Sequence, residues 1–282
     1  MKFAIDTFSY YMHFGKHWYM PENPVDIRWY CQKSKELGAG GLHIDPYHID
    51  FEKDMEWVRE FADDNNMYIE LGACGTSITE LKPSIDAASR LGAKLLRTFD
   101  GGSCLDGRVA TAERAIIAKN QLSGILPYAE KMDIRIALEN HGDLYIEDIQ
   151  TILELDSDYL GVCYDSGNFA FTNENPLDAL EAFANRILCT HLKDVCHKDK
   201  FPNAKPFITV DKPIHFCALG EGCLRMDKLV SKLSATGIEN ITLEICSPYD
   251  ESMTENDLLA FESENVVKSI SYIKTLFDKV EP

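Results

Sequence analysis

The chain has no Cys-x-x-Cys pair, although it carries nine cysteines in 282 residues. Without that spacing there is no zinc ribbon and no dithiol redox motif. An odd, scattered set of cysteines with no secretory signal predicts reduced thiols in the cytoplasm, most of them packed as small hydrophobes. No stretch approaches the ~18 uninterrupted apolar residues of a membrane span. The start, Met1-Lys2-Phe3-Ala4-Ile5-Asp6, reads as a strand and not as a basic segment leading into the apolar core of a signal peptide. Basic residues are scarce: 28 against 46 acidic, a formal net charge of −18. A field of that sign repels nucleic-acid phosphates and anionic membranes, so neither is expected as a partner. It suits a soluble enzyme acting on neutral small molecules. Gly-x-Gly-x-x-Gly is missing after the first strand, which removes the usual signature of a dinucleotide-binding open sheet. There is no linker, low-complexity tract or composition shift, and residues 1–282 read as one domain.

Short β-rich runs alternate with longer segments of helical period. The runs are 2–9, 41–45, 68–72, 95–99, 135–140, 161–165, 187–193 and 241–246. Asn23-Pro24 and Asn175-Pro176 each place a capping side chain before a proline at a first helical position. Gly38, Gly92 and Gly237 follow helical stretches as C-terminal stops. Between 54 and 65, Met55, Val58, Phe61 and Ala62 share one helical face, and Thr254 with Asp257 forms a capping box before a last helix. Strict alternation of strand and helix implies parallel strands and right-handed crossovers, and eight repeats predict a closed (β/α)8 TIM barrel. Two connections are long. The first, 101–132, holds one long helix or two short ones. The second, the loop 194–224 after the seventh strand, is rich in Pro, Lys, His and Phe. It is read as a substrate loop or as a surface excursion.

Four strands end in a polar residue foreign to a plain core: Glu139, Asp165, His191 and Glu244. Barrel active sites lie at the C-terminal ends of the strands, so side chains from these neighbouring strands converge. Side chains alternate along a strand. If these four face the axis, so do Ala137, Cys163, Cys189 and Thr242 two positions earlier. All of those are small, and a small layer leaves room for an ion above it. Three carboxylates and one imidazole make a hard, oxygen-rich site suited to Mn²⁺, Mg²⁺ or Co²⁺, with Zn²⁺ or Fe²⁺ as alternatives. Such an ion polarises a sugar carbonyl and stabilises the enediolate formed when the neighbouring proton leaves. One carboxylate then acts as base and a second returns the proton. Each residue alone is more often a helix cap, an ion-pair partner or a satisfied polar group. The four together are what point to a metal.

The strings Leu-Glu-Asn-His at Glu139, Tyr-Asp-Ser-Gly-Asn at Asp165, Thr-His-Leu-Lys-Asp at His191 and Leu-Glu-Ile at Glu244 resemble those of the xylose isomerase-like TIM-barrel superfamily. The resemblance covers nearly the whole chain, including the opening Phe-Ala-Ile-Asp-Thr-Phe-Ser-Tyr and Leu-Gly-Glu-Gly at 219–222. That superfamily holds sugar isomerases, ketose 3-epimerases, inosose dehydratases, endonuclease IV and C-glycoside deglycosidase catalytic subunits. The resemblance implies a Glu-Asp-His-Glu centre, often manganese, in which Glu139 and Glu244 both bind metal and exchange protons with substrate. Where endonuclease IV and the epimerases carry a histidine shortly after the sixth-strand aspartate, this chain has Asn168. That departure speaks against a three-zinc arrangement.

The leading expectation is therefore a metal-dependent isomerase or epimerase acting next to the carbonyl of a sugar or keto-sugar. The alternative is a lyase: a dehydratase, or a deglycosidase of keto-glycosides, eliminating from the same carbanion; an endonuclease IV-like enzyme and a non-catalytic binding subunit are the lesser readings. In that alternative His141, two residues after Glu139, is the base; otherwise it orients its neighbours. His43, Arg97, Asn168, Lys193 and Arg225 are candidate substrate contacts, with ion pairing the bland role for the cations and His13 and His17 weaker candidates. The partners expected are a sugar or glycoside substrate and further copies of the chain. The deglycosidase resemblance adds a small accessory subunit.

Overall fold

The computed structural model describes residues 1–280. Its strands are β1 (Lys2–Asp6), β2 (Gly41–Ile44), β3 (Tyr68–Gly72), β4 (Leu95–Thr98), β5 (Arg135–Glu139), β6 (Leu160–Asp165), β7 (Ile187–Leu192), β8 (Asp194–His197), β9 (Ile214–Cys217) and β10 (Asn240–Leu243). β1 to β7 and β10 close into a barrel, with β10 between β7 and β1 and every neighbouring pair parallel. This is the (β/α)8 TIM barrel expected from the alternation.

The main core lies between barrel and helices. Ile5, Leu42, Leu71, Leu96, Ile136 and Val162 point outward onto helical residues such as Ile85, Leu122 and Ile149. Inside the barrel, Leu95, Ala137, Cys163 and Cys189 form their own small cluster. Thr242, the fourth residue of the expected small layer, donates a hydrogen bond to Glu70 Oε2 at 2.7 Å. The register shifts between Val162 and Cys163, where β7 carries one extra residue against β6. Cys163–Cys189 and Asp165–His191 are still left side by side. Gly41 has no side chain because Tyr68 crosses there: a Cβ would fall 2.3 Å from the tyrosine ring.

The first strand, the start of the first long helix and the loop after the seventh strand differ from the sequence expectation, while the connection 101–132 agrees with it. The first long helix, Ile27–Glu36, is capped by Asp26 and not by Asn23. β1 stops at Asp6 and not at Ser9. The Asp6 carboxylate accepts the N–H of Phe8 at 2.7 Å and turns the chain into a 3-10 turn over Thr7–Tyr10. The connection 101–132 holds a short 3-10 turn, Cys104–Asp106, and then one helix, Arg108–Met132. The loop 194–224 is not structureless. β8 and β9 pair antiparallel within it, and Phe216 of this hairpin lines the cavity described below.

Candidate metal centre and active site

Each barrel strand presents one charged or imidazole side chain to the interior near its C-terminal end. These are Asp6, His43, Glu70, Arg97, Glu139, Asp165, His191 and Glu244, none more than 6% exposed. Sequence reasoning found the four ligand candidates and, as substrate contacts, His43 and Arg97. It missed Asp6 and Glu70. Glu70 carried a signal, a charged residue on the inward parity of a strand, whereas Asp6 lay inside a run that reads as continuing to Ser9.

Glu139, Asp165, His191 and Glu244 each offer one atom, and the four atoms lie within 4.8 Å of one another. His191 Nδ1 is 3.4 Å from Glu139 Oε1 and 2.5 Å from Glu244 Oε2. Glu139 Oε2, Asp165 Oδ2, Glu244 Oε2 and His191 Nδ1 are buried and make no hydrogen bond of acceptable geometry. Buried polar atoms are rarely left so. Four of them facing one point, in a hard donor set of three carboxylates and one imidazole, fit a divalent cation. Asp165 is aimed by its backbone. Its Oδ1 accepts the N–H groups of Gly167 and Asn168 at 2.8 and 2.9 Å. The Asn140 side chain bridges to the Asp165 main chain in both directions, at 2.8 and 2.9 Å.

The other nitrogen of His191, Nε2, lies 3.5 Å from Asp6 Oδ2. His43 Nε2 is also 3.5 Å from that oxygen, and His43 Nδ1 is 3.1 Å from Glu70 Oε2. A histidine that binds metal through one ring nitrogen presents the other to a carboxylate or carbonyl, which fixes tautomer and ring orientation. Asp6 occupies that position, with His43 and Glu70 beneath it. His43 is therefore not placed as a substrate contact: it is fully buried below the ligands and does not line the cavity.

Arg97 and Lys193 are the buried cations of the site. Arg97 contacts Glu139 and lies 3.6 Å from Asp45. Lys193 Nζ is 2.7 Å from Glu244 Oε1 and 3.0 Å from Asp165 Oδ2. Burial disfavours charge on all these carboxyls. At Glu139, Arg97 and His191 outweigh burial and hold the group well below the usual carboxylate range. At Glu244, Lys193 and His191 do the same. At Asp165 burial prevails over the more distant Lys193, and the carboxyl is raised to about 7. Asp6 is likewise raised to about 7, by burial and then by Asp45.

Above the ligands lies a cavity of 470 Å³. Glu244, Arg97, Lys193, Asn168 and His141 line its floor. Asn168 donates to Glu139 Oε1 at 3.1 Å. His141 stacks on Phe99 at 4.0 Å between ring centroids and presents its edge to the open space. The surrounding walls, then Arg97 and Lys193, lower its pKa to about 4 against the opposing pull of Glu139. Phe207 and Phe216 of the 194–224 segment meet Phe171 and Trp18 in a ring of edge and tilted contacts, 5.1 to 6.1 Å between centroids. Arg225 is not brought to this site. Its guanidinium is exposed and bonded to Asp227 at 2.7 and 2.9 Å, and it does not line the cavity. A charged residue after a glycine-rich loop signalled function in the sequence, but the chain there has already turned outward into the helix Met226–Ala235.

One carboxylate ties the hairpin down. Asp194 accepts the backbone N–H groups of Val195 and Leu224 on Oδ1 and of Gly220 and Gly222 on Oδ2, at 2.9 to 3.1 Å. A Cβ on Gly222 would fall 2.1 Å from Asp194 Oδ1. The strings Leu-Lys-Asp and Leu-Gly-Glu-Gly, far apart in sequence, are thus two halves of one clasp.

The described helices include none long and apolar enough to cross a membrane. Comparison with known proteins agrees with this architecture. A 3-oxo-isoapionate decarboxylase of Pectobacterium atrosepticum is 27% identical over 211 residues, 73% of this chain and 72% of the relative. An inosose dehydratase of Clostridium beijerinckii is 22% identical over 257 residues, covering 79% and 86%. Among solved structures, the IOLI protein with a binding zinc atom superposes with a TM-score of 0.72 at 17% identity, covering 96% of this chain and 99% of that one. A D-tagatose 3-epimerase-like protein superposes with a TM-score of 0.70 at 19% identity, covering 99% and 98%. The sequence model of the xylose isomerase-like TIM barrel matches residues 31–276, and the chain belongs to that family.

Proposed function

We propose that this chain is a divalent-metal-dependent enzyme that generates a carbanion next to the carbonyl of a sugar or keto-sugar. The observation that carries the reading is the convergence of four orphaned ligand atoms on one point at the floor of an open cavity. Manganese is the ion proposed, on the hardness of the donor set. A divalent ion held there supplies a Lewis acid that polarises a substrate carbonyl and stabilises negative charge on its oxygen. The chain's own residues do the rest. Arg97 holds Glu139 ionised and Lys193 holds Glu244 ionised, Asn168 orients Glu139, and the aromatic walls exclude water.

Two outcomes follow from such a carbanion. In isomerisation or epimerisation, Glu244 takes the proton and Glu139 returns it. The fold is shared with the D-tagatose 3-epimerase-like protein. In a lyase, a substituent departs and one acid–base group suffices beside the ligands. A specific observation favours this second reading: of the three ligand carboxylates only Glu244 lines the cavity, while Glu139 is covered by Arg97 and Asn168. His141 lines the same space and would be the acid–base group in that reading. Both relatives named at sequence level, a decarboxylase and a dehydratase, are lyases by name. The test is proton NMR in D₂O on ketoses and 3-keto-glycosides incubated with Mn²⁺-loaded protein, read after chelation. Solvent deuterium in recovered or rearranged sugar establishes the isomerase or epimerase. A released substituent establishes the lyase. Neither signal on any substrate refutes the proposal.

A further inference from the structure

We infer that the substrate is a sugar acid, and that Lys16 is the residue that holds its carboxylate. This rests on the function proposed above and narrows its substrate class. The cavity has three cationic side chains on its walls: Lys16, Arg97 and Lys193. Arg97 is engaged by Glu139 and Asp45, and Lys193 by Glu244 and Asp165. Lys16 has no ion-pair partner within 4 Å among the described residues, and its side chain is exposed at the mouth.

The backbone around Lys16 is held in a costly shape. Gly15 and His17, on either side of it, have φ of 65° and 66°. Left-handed backbone is natural for glycine but is uncommon for histidine, and such residues gather at binding sites. The turn cannot relax at Gly15, where a Cβ would sit 2.7 Å from Met20 Sδ and 2.9 Å from Pro21 Cδ. It sets Lys16, His17 and Trp18 together on the cavity wall.

Charge balance gives the sign and size of the ligand. With a divalent ion in place, the three ligand carboxylates retain one negative charge, which Lys193 cancels. Arg97 cancels Asp45. Asp6 and Glu70 lie below, on His43 and Thr242, and do not line the cavity. One positive charge is left over, and it is that of Lys16. The net charge of −18 argues for a neutral substrate, but among the side chains that line this cavity one cation is left without a counter-charge. Phe8 and Trp18 line the cavity beside Lys16. One unpaired ammonium matches a carboxylate monoanion better than a phosphate dianion, which takes several donors.

Calorimetric titration of the Mn²⁺-loaded protein with D-gluconate, D-glucitol and D-glucitol 6-phosphate tests this without any turnover. Gluconate is expected to bind about tenfold tighter than glucitol, the scale of one charge-assisted hydrogen bond. Lys16→Met should remove that preference and leave glucitol binding unchanged, while Lys16→Arg should keep it. Lys16 is exposed and unpartnered, so an unchanged melting temperature of Lys16→Met checks the fold. Three results would overturn the inference: no preference for gluconate, a preference that survives in Lys16→Met, or tighter binding of the phosphate. Because the readout is binding, a chain that fails the deuterium test can still pass this one, and the two failures are told apart.

Discussion

Replacing Asp6 by Asn should weaken metal binding and, in metal-free protein, stabilise the fold. The two effects have one origin. Asp6 Oδ2 is shared between His191 and His43 at 3.5 Å each, in a fully buried place. Losing the carboxylate behind a metal-binding histidine typically costs 10–100-fold in affinity, or about 1.4–2.7 kcal/mol. The second effect follows from titration. Burial and Asp45 raise Asp6 from 3.8 to about 7 in the metal-free protein. A carboxyl raised on folding binds its proton more tightly in the folded state. Its stabilising contribution is complete below pH ~4 and is lost as pH climbs towards 7. The full penalty above pH ~7 is on the order of 4 kcal/mol. The Asn side chain carries no such penalty and keeps an oxygen for the Phe8 N–H. The assays are denaturant unfolding of chelator-treated protein at pH 5.5 and 8.5, and calorimetric titration with Mn²⁺. The stability advantage of the variant should be larger at pH 8.5. An unchanged Mn²⁺ affinity would refute the orienting role of Asp6, and an advantage that shrinks with rising pH would refute the electrostatic argument.

Arg97→Met should cost the metal-free protein about 3–5 kcal/mol, because it leaves Glu139 and Asp45 buried without their cation. Thermal melting should fall by roughly 10 °C. Adding a divalent ion at about 100 times its Kd should stabilise chelator-treated protein by about 2.7 kcal/mol, a gain that Glu244→Gln should largely abolish in the same melting experiment. If His141 is the acid–base group, His141→Ala should lower substituent release about 10²-fold or more with metal content unchanged by elemental analysis; full activity removes it from that role. Asp194→Ala should free the β8–β9 hairpin at a cost of about 3 kcal/mol, with faster amide exchange at Gly220, Gly222 and Leu224 as its local signature.

The barrel was legible because its eight strands are short, apolar and separated by helices with clear stops. Gly38, Gly92 and Gly237 all adopt the left-handed φ, 81–83°, expected of such stops. The cluster of candidate ligands was legible for a related reason: a carboxylate or imidazole on the inward parity of a strand has no place in a plain core. Asp6 was hidden because the run to Ser9 looked like one continuous strand, whereas the aspartate itself ends it. His43 looked like a substrate contact because parity gives a side chain's direction but not its depth. The β8–β9 hairpin was obscured by Lys198, Asp199 and Lys200 and by the prolines at 202, 206 and 213, which do not alternate as strands do. Lys16 carried no signal. Its position depends on the local turn and on distant aromatic residues, and neither is periodic.

The clasp at Asp194 bears on how this barrel can change its clientele. Both feet of a thirty-residue excursion are fastened to a single carboxylate through backbone N–H groups, which carry no side-chain identity. Whatever lies between those feet can be lengthened, shortened or rewritten without disturbing the anchorage or the ligands below it. Phe207 and Phe216 enter the cavity from that interval. The hairpin is thus an exchangeable cassette. Exchanging residues 195–219 between relatives, with Asp194 and the two glycines kept, would transplant a cavity wall and leave the reaction centre as it was.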